Sequence, residues 1–155
     1  MIYIDMDGVV SDFEQSIINI FGEKYSNKIA SEFWKTKCVE AEAFRLMPPI
    51  PEGIEMVQQI AAENDICFMT STGGMPHHID IAKQKLDWLH NHGLGGHPVA
   101  FCMNTRGKGQ FAQPHAILID DRQKVCDAWE EGGGNALLFT RESALYTAEI
   151  VLAFP

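Results

Sequence analysis

The chain opens Met1-Ile-Tyr-Ile-Asp5-Met-Asp7-Gly8-Val-Val-Ser-Asp12, and the order of residue types in this stretch decides the fold. Met1–Ile4 is a short apolar run of the kind found in strands buried on both faces. Two aspartates and a glycine follow it. Val10, Phe13, Ile17 and Ile20 then recur at spacings of three and four, the period of an amphipathic helix. Strand, acidic turn and helix therefore follow one another within twenty residues.

The same alternation runs along the rest of the chain. Ile66–Met69, Val99–Met103, Ala116–Ile119 and Ala136–Phe139 read as further buried strands. Helical stripes lie between them, at Ile54, Val57 and Ile60 and at Ile79, Ala82, Leu86 and Leu89. Gly132–Gly134 reads as a helix stop before the last strand. Strand–helix alternation predicts an α/β fold, a three-layer Rossmann-like parallel sheet with helices on both faces and right-handed crossovers. Residues 22–47 break the rhythm: they hold Tyr25, Phe33, Trp34 and Phe44 but no strand, and Pro48, Pro49 and Pro51 follow. This segment is too short for a core of its own. It reads as a small helical cap insert after the first strand and helix, lying over one end of the sheet.

With 155 residues, 46% of them hydrophobic and 21% charged, the composition is that of one globular domain spanning 1–155. A chain of this length buries roughly two-thirds of its unfolded surface and needs no disulfide to fold. The four cysteines are scattered, which suits free buried thiols in a cytoplasmic protein. No apolar run approaches the ~20 residues of a membrane span, and no signal peptide is legible at the N-terminus. Twelve basic residues face 21 acidic ones, a net charge of −9 with no basic run. That argues against a nucleic-acid polymer as partner, because such binding depends on neutralising several phosphates. A small anion remains open as a ligand if the site supplies its own positive charge. A homodimer is compatible with this reading.

Open parallel sheets bind ligands at the carboxyl ends of their strands. There the sequence sets Asp5 and Asp7 after the first strand, Thr70 and Ser71 after the second, and Asp120 and Asp121 after the fourth. Lys108 lies in the loop between the third and fourth. One aspartate after a strand is commonly a helix N-cap; four on one rim need another explanation. Two like charges 4 Å apart repel by about 4 kcal/mol at an effective dielectric near 20. The rim therefore calls for a hard divalent cation, and Mg²⁺ is the usual choice where a phosphate completes its ligands. Gly8 permits a sharp turn just past Asp5 and Asp7, so Asp5 can face a phosphorus atom while Asp7 reaches the leaving oxygen. A carboxylate nucleophile splits hydrolysis into two steps, and a second carboxyl group serves both as acid and then as base.

The strings D5-M-D-G-V-V, F68-M-T-S, K108 and I119-D-D-R resemble, in order and context, the four motifs of the haloacid dehalogenase superfamily. The resemblance implies Asp5 as nucleophile and Asp7 as acid/base. It also implies Mg²⁺ held by the Asp5 carboxylate, the Asp7 backbone carbonyl and Asp120, with Asp121 supporting the metal shell. Thr70 and Lys108 would grip the phosphoryl group. An aspartate two places after the nucleophile is the phosphatase form of the pattern.

A narrower resemblance, to the 5'(3')-deoxyribonucleotidases, rests on D5-M-D-G-V-V-S-D-F-E, on F44 followed by P49-I-P-E-G, and on T105-R-G-K. It implies a (deoxy)nucleoside monophosphate as the small-molecule phosphate monoester. Phe13 and Phe44 would wall the nucleoside pocket, and Ser71, Lys85 and Arg106 would join the phosphate or substrate contacts. The alternative is a phosphatase of the same superfamily acting on a sugar phosphate or other small metabolite. A phospho-accepting receiver domain fits less well, because its adjacent acidic pair follows the first strand, whereas here Asp120–Asp121 comes late. His77, His78, His90, His92 and His97 match no common zinc spacing and read as solvated helix ends.

Overall fold

The computed structural model describes residues 1–24 and 32–154, without the side chains of Glu32 and Phe33. Tyr25 and the Phe33 side chain thus lie outside the described residues. Five strands, β1 (Ile2–Ile4), β2 (Ile66–Ser71), β3 (Val99–Cys102), β4 (Ile117–Asp120) and β5 (Asn135–Leu138), form one sheet in the order β3-β2-β1-β4-β5. All neighbours are parallel; Ile4 pairs with Phe68 on one side and Ile119 on the other. The expected strands are all present, with ends shifted by one or two residues, but β3 and β5, expected to be buried, are the edge strands and stay half-exposed, with Phe101 and Leu138 open to solvent.

Because β1 is central, both its edges are hydrogen-bonded and its side chains are enclosed by helices. Ile4, Phe68, Leu118 and Ile119 have no exposed surface, which is why these strands read as unbroken apolar runs. The helices are α1 (Phe13–Phe21), α2 (Glu32–Glu40), α3 (Pro51–Ala61), α4 (His78–Asn91), α5 (Gln123–Glu131) and α6 (Ala144–Ala153), with a 3-10 helix at Thr105–Phe111. Asp12 caps α1, its carboxylate accepting from the Gln15 N–H at 2.9 Å. Pro51 opens α3, where its fixed φ and missing N–H cost nothing. The third residue of α3, Gly53, sits so close to the chain after β1 that a Cβ there would lie 1.8 Å from the Val9 carbonyl oxygen.

One helical face differs from expectation. Ile79 and Leu86 of α4 are 68% and 45% exposed, while Ile81, Gln84, Lys85, Trp88 and Leu89 are buried. The apolar stripe pointed to the wrong side because two polar residues lie on the inward face, where their hydrogen bonds are made internally. The insert is tied down mainly by α1 and α4. Trp88 Nε1 donates to the Met47 carbonyl at 2.7 Å, Ser16 Oγ donates to the Ala43 carbonyl at 2.7 Å, and Arg45 pairs with Asp87 at 2.6 Å. The α2 residue Lys35 donates to the Gly73 carbonyl, and Thr36 Oγ1 lies 2.8 Å from His77 Nε2.

The histidines are not all solvated helix ends. His92 stacks on Trp88 with ring centroids 4.0 Å apart, and His97 meets Phe68 edge-on. Cys38, Cys67, Cys102 and Cys126 are free and buried, and burial raises each thiol's pKa. Among the described residues no helix is long and apolar enough to cross a membrane.

Candidate active site

The site begins where β1 stops. The Asp5 N–H extends the ladder to the Ile119 carbonyl at 2.9 Å, and the chain then folds over Met6. The Met6 carbonyl accepts from the N–H groups of Val9, Val10 and Ser11 at 3.2, 2.9 and 3.0 Å. Gly8 makes this fold possible at φ +87°, a region costly for other residues. Its missing side chain also makes room, since a Cβ there would lie 2.1 Å from Asp121 Oδ2.

Lys108 reaches the centre from the 3-10 helix, whose first turn Asn104 caps by accepting from the Gly107 N–H at 2.9 Å. Fully buried, Lys108 Nζ lies 2.7 Å from Asp5 Oδ1 and 2.7 Å from Asp120 Oδ2. The other Asp120 oxygen accepts from the Arg122 N–H at 3.0 Å. Asp5, Asp120 and Asp121 each bring a carboxylate oxygen within 4.8 Å of the other two. Lys85, also fully buried, donates from Nζ to Asp7 Oδ2 and Thr70 Oγ1 at 2.7 Å each and to the Ser71 carbonyl at 2.8 Å.

In this centre four carboxylates face the ammonium groups of Lys85 and Lys108, with the Arg122 guanidinium also acting on Asp121, so negative charge remains in excess. The pKa values carry the same imbalance. Burial pushes Asp5 up to about 7, with Asp120 and Asp7 adding to the shift and Lys108 opposing it. Burial likewise takes Asp121 up to about 6, reinforced by Asp120. Burial alone would lower Lys108, but Asp5 and Asp120 more than offset it and hold the ammonium above its usual range. Asp121 Oδ1 is buried without a hydrogen-bond partner among the described residues, a costly state for a carboxylate oxygen. An all-oxygen donor set with an orphaned carboxylate oxygen fits Mg²⁺.

Two cavities meet at this centre. One, of about 530 Å³, is lined by Asp7, Phe13, Trp34, Lys35, Phe44 and Ser71 among others. The other, of about 410 Å³, is more polar and includes Asp7, Gly8, Asp121, Arg122 and Arg141. Asp7, Phe13 and Arg122 line both.

The structure therefore brings Asp5, Asp7, Thr70, Ser71, Lys85, Lys108, Asp120 and Asp121 together. Phe13 and Phe44 reach the cavity wall but stack on each other, with centroids 5.1 Å apart and planes 11° from parallel. A base sandwiched between two rings needs roughly twice a van der Waals contact, about 7 Å, so these rings form one two-ring platform. Arg106 is exposed on the 3-10 helix and does not line either cavity; Arg122, immediately after Asp121, does. Sequence reasoning passed over Arg122 although it stands inside the I119-D-D-R string. It also left out Trp34 and Lys35, whose only signal was their place in the insert, and Arg141, which pairs with the capping Asp12 at 2.7 Å.

The model of the 5' nucleotidase, deoxy (pyrimidine), cytosolic type C protein family (NT5C) matches residues 1–150. The chain belongs to this family. It is a phosphoric monoester hydrolase with the haloacid dehalogenase-like fold. A haloacid dehalogenase-like family hydrolase from Streptococcus pneumoniae is similar in structure, with a TM-score of 0.63 at 14% identity over 96% of this chain and 90% of that one. A second hydrolase, from Streptococcus pneumoniae TIGR4, has a TM-score of 0.56 at 14% identity over 99% of this chain and 98% of that one. At such identity these likenesses concern the fold alone. No curated protein matches the chain.

Proposed function

We propose that this family member is a cytoplasmic, Mg²⁺-dependent 5'(3')-deoxyribonucleotidase that hydrolyses nucleoside monophosphates through an aspartyl phosphate, an acyl phosphate formed on Asp5. The observation that carries the reading is the junction of buried Asp5, Asp120 and Lys108 with the more exposed Asp121, opening through Asp7 onto an aromatic-walled cavity. Residues 22–47 act as a small cap over that cavity, within a single unit of residues 1–155.

The chemistry follows from the side chains. An Asp5 oxygen attacks phosphorus; the new O–P bond forms as the ester O–P bond to the nucleoside breaks. The carboxyl group of Asp7 gives its proton to the departing alkoxide, and Thr70 and Lys108 hold the transferring phosphoryl group. Water then attacks the phosphorus of the aspartyl phosphate, Asp7 takes up the proton, and Asp5 and inorganic phosphate are released. Asp5, the Asp7 carbonyl and Asp120, with Asp121 behind them, would hold Mg²⁺, which neutralises phosphate charge when bound. On the far side of Asp7 the Phe13–Phe44 platform offers a base a stacking face, while Lys35 and Arg122 supply positive charge to a strongly acidic chain. Four free buried thiols suit a reducing compartment.

The test is a panel of 5'- and 3'-mononucleotides and sugar phosphates, assayed with and without Mg²⁺. Substrates like dUMP or dTMP are expected near the top, with activity lost in chelator. A sugar phosphate far ahead of a flat nucleotide response would overturn the assignment.

A further inference from the structure

Two neighbours on α4 account for the inverted face of that helix. Lys85 has three N–H donors, and three acceptors take them: Asp7 Oδ2, Thr70 Oγ1 and the Ser71 carbonyl. With no exposed surface and all three donors engaged, its ammonium has none left over for a phosphate. Gln84, 6% exposed, points into the insert instead. Its Nε2 donates to the Val39 carbonyl at 2.9 Å, and its Oε1 accepts from the Phe44 N–H at 3.3 Å. The Lys85 ammonium also sits 5.6 Å from the Phe44 ring centroid, so the two residues grip adjoining parts of one assembly.

We propose that Gln84 and Lys85 are paired positioning residues, Lys85 orienting Asp7 and Thr70 and Gln84 anchoring the Phe44 wall, so that one turn of α4 sets the distance between the reacting ester and the aromatic platform. By occupying Oδ2 of Asp7, Lys85 leaves Oδ1, which accepts only a long 3.4 Å hydrogen bond from Ser11 Oγ, as the atom that gives the proton to the leaving alkoxide and takes one from water. This role replaces the direct phosphate contact expected of Lys85. It also assigns Gln84 a part in selecting ring-bearing substrates. The Gln84 half rests on the nucleotidase reading; the Lys85 half needs only the phosphohydrolase.

Acetyl phosphate separates the two halves, because it has no ring and its leaving group needs no proton. In Lys85→Met, kcat/KM for an alkyl ester, whether a nucleoside monophosphate or ribose 5-phosphate, falls on the order of 100-fold, as expected for a misaligned general acid. For acetyl phosphate it falls by less than about fivefold. Equal losses on both substrates would mean that Lys85 acts on the phosphoryl group, directly or through Thr70, and would overturn its role in orienting Asp7 as the acid. Gln84→Leu removes no charge and keeps the test open if Lys85→Met does not fold. It raises KM for the best nucleotide about tenfold, the scale of one lost stacking contact, and raises that for acetyl phosphate much less. A rise shared equally by both substrates, or by neither, would overturn the role of Gln84. If the parent enzyme turns over no nucleotide, the nucleotidase reading fails by itself, while ribose 5-phosphate against acetyl phosphate still decides Lys85.

Discussion

Replacing Gly8 with alanine tests the acidic centre through a residue that carries no chemistry. Gly8 sits at φ +87°, and a Cβ would lie 2.1 Å from Asp121 Oδ2 and 2.4 Å from its Cγ. Left-handed backbone costs a residue with a Cβ about 1–2 kcal/mol, and relieving the clash requires Asp121 to swing away. Together these predict a loss of about 2–3 kcal/mol. At roughly 2–4 °C per kcal/mol for a chain of this size, the melting temperature falls by about 4–12 °C. Displacing Asp121 disturbs the residue that backs the proposed metal ligands, and such changes typically cost 10–100-fold in metal affinity. Thermal melts of the parent and Gly8→Ala proteins with and without Mg²⁺, together with activity titrated against Mg²⁺, measure both effects. A variant with the parent's melting temperature and half-saturating Mg²⁺ concentration would refute the claim that Gly8 is kept bare to seat Asp121.

Asp5→Asn is expected to abolish turnover while keeping the fold by circular dichroism; activity near the parent level would mean that the nucleophile lies elsewhere. In the metal-free protein Asp5 and Asp121 hold protons up to about 7 and 6, against 3.8 for the free side chain. Between those values the folded state binds more protons than the unfolded one, so stability should fall by a few kcal/mol as pH rises from about 4 to 7. Saturating Mg²⁺ should flatten that slope, whereas metal-free melts that climb with pH over this window would contradict it. Phe44→Ala should raise KM for nucleotides about tenfold, from ~1–3 kcal/mol of lost stacking, with little change for acetyl phosphate; equal changes on both would remove the base platform.

The sheet was readable because its central strands β1, β2 and β4 are buried on both faces and so spell unbroken apolar runs, as at Ile66–Met69, while the half-exposed edge strands β3 and β5 keep short apolar runs of the same length. The acidic rim was readable for a related reason: strand ends locate the ligand-binding edge, and Asp5, Asp7, Asp120 and Asp121 all fall there. The inward face of α4 was hidden because hydropathy assigns Gln84 and Lys85 to solvent, whereas partners distant in sequence satisfy them inside the protein. Propensity and pattern tend to fail where a functional site overrides them. The side from which each arginine works was likewise invisible, since Arg106 and Arg122 both lie next to motif residues and only the turn of the backbone separates exposed from cavity-lining. Nor does spacing reveal that Phe13 and Phe44 stack on each other.

The central position of β1 has a consequence for how the enzyme comes into being. Ile2 pairs with Ile66 and with Ile117, so the strand that leads into Asp5 gains its two neighbours only after long stretches of chain have been brought back to it. Closing such loops spends chain entropy before any contact repays it, which makes assembly slow and nearly all-or-none. Until β4 docks, Asp120 and Asp121 do not stand beside Asp5, so the acidic centre comes together as a late and abrupt event in folding.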